Sequence, residues 1–239
     1  MWYFDRTFAT PEEELACDEV LLDICEERTD GEVLRVWQPC CRYIVLGYTN
    51  EAAREVNLAE CAAAQIPVYR RTTGGGTIVQ MPGCLNYALV MRQESHPDLS
   101  TIGGTHRFIL ARLAAALSRL VPEPLVPRGH TDLCVGVRKV AGNAQRRTSH
   151  SLLFHGTLLL HANIPEIERL LPFPSAQPGY RMHRPHREFL ANLQVDPAAV
   201  TSALQTAWGA YTPYMAPFEE RLATLAREKY ACREWRMRR

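Results

Sequence analysis

The sequence predicts an α+β fold: a mixed, largely antiparallel β-sheet flanked by α-helices. Three observations predict it. Strand-like runs crowd the middle of the 239-residue chain and follow one another without helices between them. Helical periodicity is concentrated toward the two ends. Hydrophobic residues make up 46% and charged residues 22%, enough apolar material for a sizeable core.

In order, Pro11-Glu12-Glu13-Glu14 opens a helix, with proline and acids in the first turn, and Leu15, Val20, Leu21, Leu22 and Ile24 lie on or near one face. Gly31 ends that unit. Val33–Trp37 and Tyr43–Tyr48 read as strands. Asn50 is a suitable N-cap for a helix over 52–64. Ile66–Tyr69 and Thr77–Gln80 then flank a glycine triplet as the arms of a hairpin-like turn. Gly83–Met91 is the next strand, and 100–121 the longest helix. Pro122, Pro124 and Pro127 point to an irregular connector. The stretches 132–147 and 151–161 form an antiparallel pair. The proline- and histidine-rich segment 172–187 fits no regular element. Helices near 196–210 and 214–231 finish the chain, and the basic run 233–239 reads as a solvated tail. The expected organisation is one unit over 1–239, with a core over about 10–193 and a helical extension over 194–239.

Several function classes are excluded by composition. A net charge of +1 gives no global case for nucleic acid or a membrane surface. The N-terminus lacks the basic and apolar regions of a signal peptide, and no apolar run approaches the ~20 residues of a membrane span. The eight cysteines form no CxxC pair and no Cys/His ligand spacing. They read as reduced thiols, mostly buried, in a cytoplasmic protein.

Two stretches carry chemistry. In Arg70-Arg71-Thr72-Thr73-Gly74-Gly75-Gly76-Thr77 the glycines let backbone approach a ligand, and the arginines are forks suited to carboxylate or phosphate oxygens. In Asp132–Arg147, Lys139 lies between Val137 and Ala141 on one strand face, where a lysine needs an anion. Gly142 follows. Asn86, His155 and Thr157 are polar groups inside neighbouring apolar strands, and each needs a partner or a ligand.

These segments, with Gly83-x-Leu85-Asn86-Tyr87, Asp132-Leu133, Arg138-Lys139-Val140-x-Gly142-Asn143-Ala144-Gln145 and His155-Gly156-Thr157, resemble the biotin/lipoate protein ligase superfamily. The likeness is strongest to its lipoate-protein ligase A branch, catalytic domain only. It implies a two-step reaction: lipoate (or octanoate) and MgATP give an acyl-adenylate, and a lysine of a lipoyl-domain acceptor displaces AMP. It implies that Lys139 meets the carboxylate or acyl-phosphate. Arg70, Gly74, Gly75, Gly76 and Thr77 would clasp the adenylate. Asn86, Gly142, Asn143, Ala144, His155, Gly156 and Thr157 would line the pocket. Asp132 would face the nucleotide end, near Mg2+, with no side-chain metal site besides. Too little sequence follows Leu193 for the branch's accessory domain, which implies a catalytic half working with a separate small partner, or a chain that needs no adenylation. The alternatives are an octanoyltransferase acting between carrier proteins without ATP, and a non-catalytic acyl-binding module. One transferase branch places a cysteine nucleophile upstream of the lysine; here 121–131 contains none, and Cys134 reads as a packing residue.

Overall fold

The structure is a computed structural model and describes residues 1–238. In chain order its strands are β1 (Trp2–Phe4), β2 (Val33–Trp37), β3 (Tyr43–Leu46), β4 (Val68–Arg70), β5 (Ile78–Gln80), β6 (Cys84–Arg92), β7 (Leu125–Arg128), β8 (Asp132–Val135), β9 (Arg138–Arg147), β10 (Ser151–Leu159) and β11 (Thr212–Pro213). The helices are α1 (Pro11–Glu27), α2 (Ala52–Glu55), α3 (Leu58–Ala63), α4 (Ile102–Leu117), α5 (Ile164–Leu170), α6 (His186–Phe189), α7 (Pro197–Trp208), α8 (Glu219–Leu225) and α9 (Arg233–Arg236).

The main sheet has eight strands in the order β11-β1-β2-β6-β10-β9-β8-β7. Only the β11-β1 and β1-β2 pairs are parallel, so the expected α+β class, mixed and largely antiparallel, describes it. Alternation along the strands sorts its two faces. Leu85, Tyr87 and Leu89 of β6 and Leu152, Phe154 and Leu158 of β10 pack with Ile109, Leu113 and Leu117 of α4 and Val200 and Leu204 of α7. Ala88 and Val90 of β6 and Leu153 of β10 pack on the other face with Ala16, Val20 and Leu21 of α1 and Leu222 of α8. Helix α1 starts in a capping box: the Thr10 hydroxyl accepts from the Glu13 N–H, and the Glu13 carboxylate accepts from the Thr10 N–H.

Several expectations are corrected. The arms of the glycine turn do not pair as a hairpin. They flank β3, in the order β4-β3-β5, with β4 parallel and β5 antiparallel to it. The glycine segment therefore crosses the end of β3, and the crossing is close: a Cβ on Gly47 would stand 2.0 Å from the Gly75 carbonyl oxygen. The helix expected over 52–64 is two helices, α2 and α3, with Asn57 rather than Asn50 capping the second. The helix expected over 100–121 is the shorter α4, started by the Thr101 hydroxyl accepting from the Gly104 N–H at 3.0 Å, and α1 is one residue longer than it. The proline connector contains edge strand β7, the position in a sheet where a proline such as Pro127 is tolerated. The basic C-terminal run is not a solvated tail over its described part. Trp235 Nε1 donates to the Arg70 carbonyl at 3.0 Å, and Arg236 Nε donates to the Val68 carbonyl at 2.7 Å. The Arg236 guanidinium also lies over the Tyr69 ring. Arg239 lies outside the described residues. Among the described residues, no helix is long and apolar enough to cross a membrane.

Candidate active site

The α1 face of the sheet carries the polar residues that the strand pattern singled out. Register brings them together: Asn86 faces both Trp37 and Thr157 across β6, while on β10 His155 is opposite Ala144 and Thr157 opposite Gly142. These residues line one cavity of about 550 Å³ with Gly75, Gly76, Thr77, Asp132 and Lys139. Most of the expected site residues are thus neighbours in space, although they come from β6, β8, β9, β10 and the glycine crossing.

At one place in the lining, Lys139 Nζ is 2.7 Å from Asp132 Oδ1, and Asp132 Oδ2 accepts from the Tyr180 hydroxyl at 2.7 Å. Lys139 owes its position to an irregularity. Its partner is Cys134, whereas Ala141 pairs with Leu133, so β9 holds an extra residue there. The expectation of simple alternation from Val137 through Lys139 to Ala141 therefore gives way to a turn at Gly136, which has φ +56°, followed by this bulge. Gly142 makes room for the lysine stem: a Cβ there would lie 2.9 Å from Lys139 Cε.

Elsewhere in the cavity a buried network holds His155. Its Nδ1 is 2.8 Å from Asp18 Oδ2 and its Nε2 2.8 Å from Thr73 Oγ1. The Asp18 carboxylate can only accept, so Nδ1 carries a hydrogen and donates to it, while Thr73 Oγ1 accepts from Arg71 Nε and shares a hydrogen bond with Nε2. Behind Asp18 lies Arg35, fully buried, bonded to Asp18 Oδ1 at 2.7 Å and to the Glu14 carboxylate, and stacked on Trp37 at 3.9 Å. Burial opposes the charge on Asp18, but its hydrogen bond to His155 and the Arg35 charge hold its carboxyl below the usual range. For Glu14 burial prevails over Arg35 and pushes the pKa up from 4.5 to about 7. Between those values the folded chain holds a proton that the unfolded chain lacks, so this group lowers stability as pH rises from 4.5 to about 7. Glu14→Gln is expected to flatten the fall of melting temperature over that range. A variant whose melting profile tracks the unaltered chain across it would contradict the assignment.

The third group is Gln80, Asn86 and Thr157. Gln80 Nε2 donates to Asn86 Oδ1 and Thr157 Oγ1 at 2.8 and 3.0 Å, and Asn86 Nδ2 donates back to Gln80 Oε1 at 3.0 Å. This closed set resolves the buried amide without a ligand. Asn143 and Gly156 touch the cavity, but the Asn143 side chain bonds on the opposite face. The Tyr87 hydroxyl donates to Asn143 Oδ1, and Asn143 Nδ2 donates to the Thr131 carbonyl. A Cβ on Gly156 would collide with that Asn143 oxygen.

Arg70 departs from expectation. It is fully buried behind the cavity wall, donating to the carbonyls of Gly47, Tyr48 and Asn50 at 3.0, 3.1 and 2.7 Å. Arg71 is the arginine on the wall, and it donates to the Gly74 and Gly76 carbonyls at 2.6 and 2.8 Å. The parity of a short strand decides this: adjacent residues face opposite ways, and the inward one ties the β3 end. Within the triplet, Gly75 takes φ +86° and lines the cavity with Gly76, whereas Gly74 lies outside the lining.

Sequence reasoning missed Glu14, Asp18, Arg35, Gln80 and Tyr180, and gave to Arg70 the wall position that Arg71 holds. The single arginine in Val33-Leu34-Arg35-Val36-Trp37 and the two acids four apart on an apolar helix were readable signals. Among the described residues no group of three or more His, Cys, Asp or Glu side chains could hold a metal. Asp132, the residue expected near Mg2+, holds Lys139 on Oδ1 and the Tyr180 hydroxyl on Oδ2.

The sequence model of the lipoyl protein ligase A/B catalytic domain matches residues 10–201. The chain belongs to this family. Its relatives in the family include a protein of Aeropyrum pernix named "Putative lipoate-protein ligase A", 31% identical over 166 residues, a match covering 69% of this chain and 60% of that one. The chain thus spans under two thirds of that relative. The octanoyltransferase LipM of Lysinibacillus sphaericus is 26% identical, with 98% of both chains covered. The fold of the family member from Thermoplasma acidophilum, a bi-partite lipoate protein ligase solved as part of an archaeal lipoylation system, is alike: TM-score 0.80, 24% identity, 99% of this chain and 96% of that one covered. An enzyme of the lipoate ligase and octanoyltransferase family follows.

Proposed function

We propose that the chain is an ATP-dependent lipoate-protein ligase whose described residues work as one catalytic unit. One observation carries this reading: the cavity joins Lys139 to Asp132 and has no cysteine in its lining. Acyl transfer through an enzyme thioester needs an accessible thiolate. Cys134, the thiol paired with Lys139 in the ladder, is fully buried, and burial pushes its pKa up. Its Sγ donates to the Tyr180 hydroxyl at 3.3 Å.

In this reading the apolar group Leu15, Tyr43, Val45 and Ile78 lies along the acyl chain, whose burial is worth roughly 0.8 kcal/mol per CH₂. Gly75 and Gly76 let the acyl carbonyl approach the wall without a Cβ between them. The lipoate carboxylate attacks the α-phosphorus of ATP, an O–P bond forms and pyrophosphate leaves. A lysine amine of a lipoyl domain then attacks the carbonyl carbon, the C–N bond forms, the C–O bond to AMP breaks, and the amine loses a proton. Lys139 Nζ faces the oxygens that carry charge in both steps, and a preorganised donor in a desolvated site stabilises both transition states. Asn86, Gly142, Ala144, His155 and Thr157 shape the pocket around that position, Asn143 and Gly156 fix the β9-β10 register beneath it, and Arg71, tied to Thr73 and to the Gly74 and Gly76 carbonyls, braces the glycine crossing. A cytoplasmic setting and a separate small accessory subunit belong to the same reading; the bi-partite Thermoplasma ligase supports the latter.

Octanoyl transfer between carriers is the second reading, favoured by the likeness to LipM along almost the whole chain. The two separate on one assay. With lipoate and ATP, pyrophosphate release and a retained lipoyl-AMP are expected; octanoate transfer from an octanoyl carrier without ATP, and no pyrophosphate with or without an accessory subunit, would replace the ligase by the transferase. Cys134→Ser is expected to change the lipoylation rate by less than about threefold, since the hydroxyl can donate to Tyr180 as the thiol does. Complete loss, with an acyl group found on the unaltered protein by mass spectrometry, would point to an acyl-enzyme.

A further inference from the structure

The segment 172–187, which the sequence left unassigned, forms part of the cavity wall. It carries one residue that the pocket chemistry has not used. Arg181 is only 4% exposed, and its guanidinium is held between two phenyl rings, Phe173 at 4.8 Å and Phe189 at 4.7 Å. Nε donates to the Arg184 carbonyl at 3.0 Å. Nη2 is buried and has no hydrogen-bond partner, and no carboxylate lies within ion-pair distance of Arg181 among the described residues. Asp132, the acid whose charge reaches it, is already committed to Lys139 and Tyr180.

A buried guanidinium without an anion is costly, and two aromatic faces recover only part of that cost. The lining beside it holds Lys139 and His186, whose imidazole is pushed down to about 4 by burial and by the Arg181 charge, so it stays neutral. Beside segment 172–187 the wall therefore offers two cations, Lys139 with a carboxylate partner and Arg181 without one, while Arg71 is spent on Thr73 and the glycine carbonyls; Arg181 is a planar fork suited to tetrahedral oxyanions. Lys139 spends its charge on Asp132; Arg181 does not.

We infer that Arg181 is an oxyanion-binding residue of this cavity and takes the phosphate oxygens of a phosphate ester through its guanidinium. The inference deepens the ligase reading and rests on its placement of the reaction in this cavity. Two sources share this chemistry: the phosphate of a nucleotide, and the phosphate of the phosphopantetheine arm of an acyl carrier. The first is the ligand of an adenylating ligase and the second that of a carrier-dependent transferase.

Binding measured by calorimetry, without turnover, tests the idea on the full chain with AMP, 4′-phosphopantetheine and lipoate as probes. Arg181→Met fills the space between the rings and removes the charge, and Arg181→Lys retains a cation. Arg181→Met is expected to weaken one phosphate ester about ten- to a hundredfold, the range of a lost charge-assisted hydrogen bond, with Arg181→Lys in between. Lipoate affinity is expected to stay within about twofold, which separates a phosphate role from a packing role. Loss confined to AMP supports both the inference and the ligase. Loss confined to 4′-phosphopantetheine supports the inference and overturns the ligase. Equal binding by Arg181→Met and the unaltered chain overturns the inference and leaves the ligase standing, and no binding of either ester by the unaltered chain overturns it as well. If Arg181→Met melts early, the comparison of Arg181→Lys with the unaltered chain decides: indistinguishable profiles for all three probes, lipoate included, overturn the fork-specific role.

Discussion

Lys139→Ala is expected to slow lipoylation by on the order of 10²–10³-fold, the usual consequence of removing one preorganised donor from a charged transition state. The lysine is the cavity cation closest to an acid, and its side chain is partly exposed, so its loss leaves the strand ladder intact. Asp132 keeps the Tyr180 hydroxyl as a partner. The melting temperature should therefore move by a few degrees at most, and pyrophosphate release and acceptor modification should fall together. Lipoate binding should weaken less than turnover, because charge on the reacting oxygens is greatest in the transition state. Turnover near that of the unaltered chain would remove Lys139 from the chemistry.

Arg35→Ala has its main effect on stability. The side chain is fully buried and answers two carboxylates, Glu14 and Asp18, so its removal strands at least one buried negative charge. Breaking one side of such a pair costs about 3–5 kcal/mol. The midpoint of denaturant unfolding reports that loss. The triple variant Arg35→Met, Glu14→Gln, Asp18→Asn should recover most of it, since no charge is then left unpaired. Recovery of stability should not recover activity, because His155 loses the carboxylate that fixes its ring. A single Arg35→Ala variant as stable as the unaltered chain would show that the network contributes nothing to the fold.

The sequence revealed the sheet through its alternation: apolar residues on both sides of β6 and β10, with Asn86, His155 and Thr157 interrupting only one parity. That same parity placed them on one face, and the glycine and lysine motifs completed the cavity. What stayed hidden follows from long-range geometry. Nothing local says that β3 inserts between β4 and β5, because the strands are three or four residues long and any order would satisfy their pattern. Which of two adjacent arginines faces inward depends on that order. The bulge at Lys139 is a mismatch between two strands and leaves no mark on either alone. Segment 172–187 is held by ring stacking, hydrogen bonds and an isolated bridge between Lys139 and Leu190 rather than by periodicity, so its sequence has no repeat to read.

The tie between α9 and β4 joins residues 166 positions apart, Arg70 and Arg236. It holds the strand from which the glycine crossing departs. During synthesis, β3, β4 and the glycines are made long before the residues that fasten them. A nascent chain stopped short of residue 236 has its sheet strands and its lysine but an unfastened wall. Closing a loop of this length also costs entropy that nearer contacts do not. The pocket wall is thus fastened by a segment made well after the strands it holds.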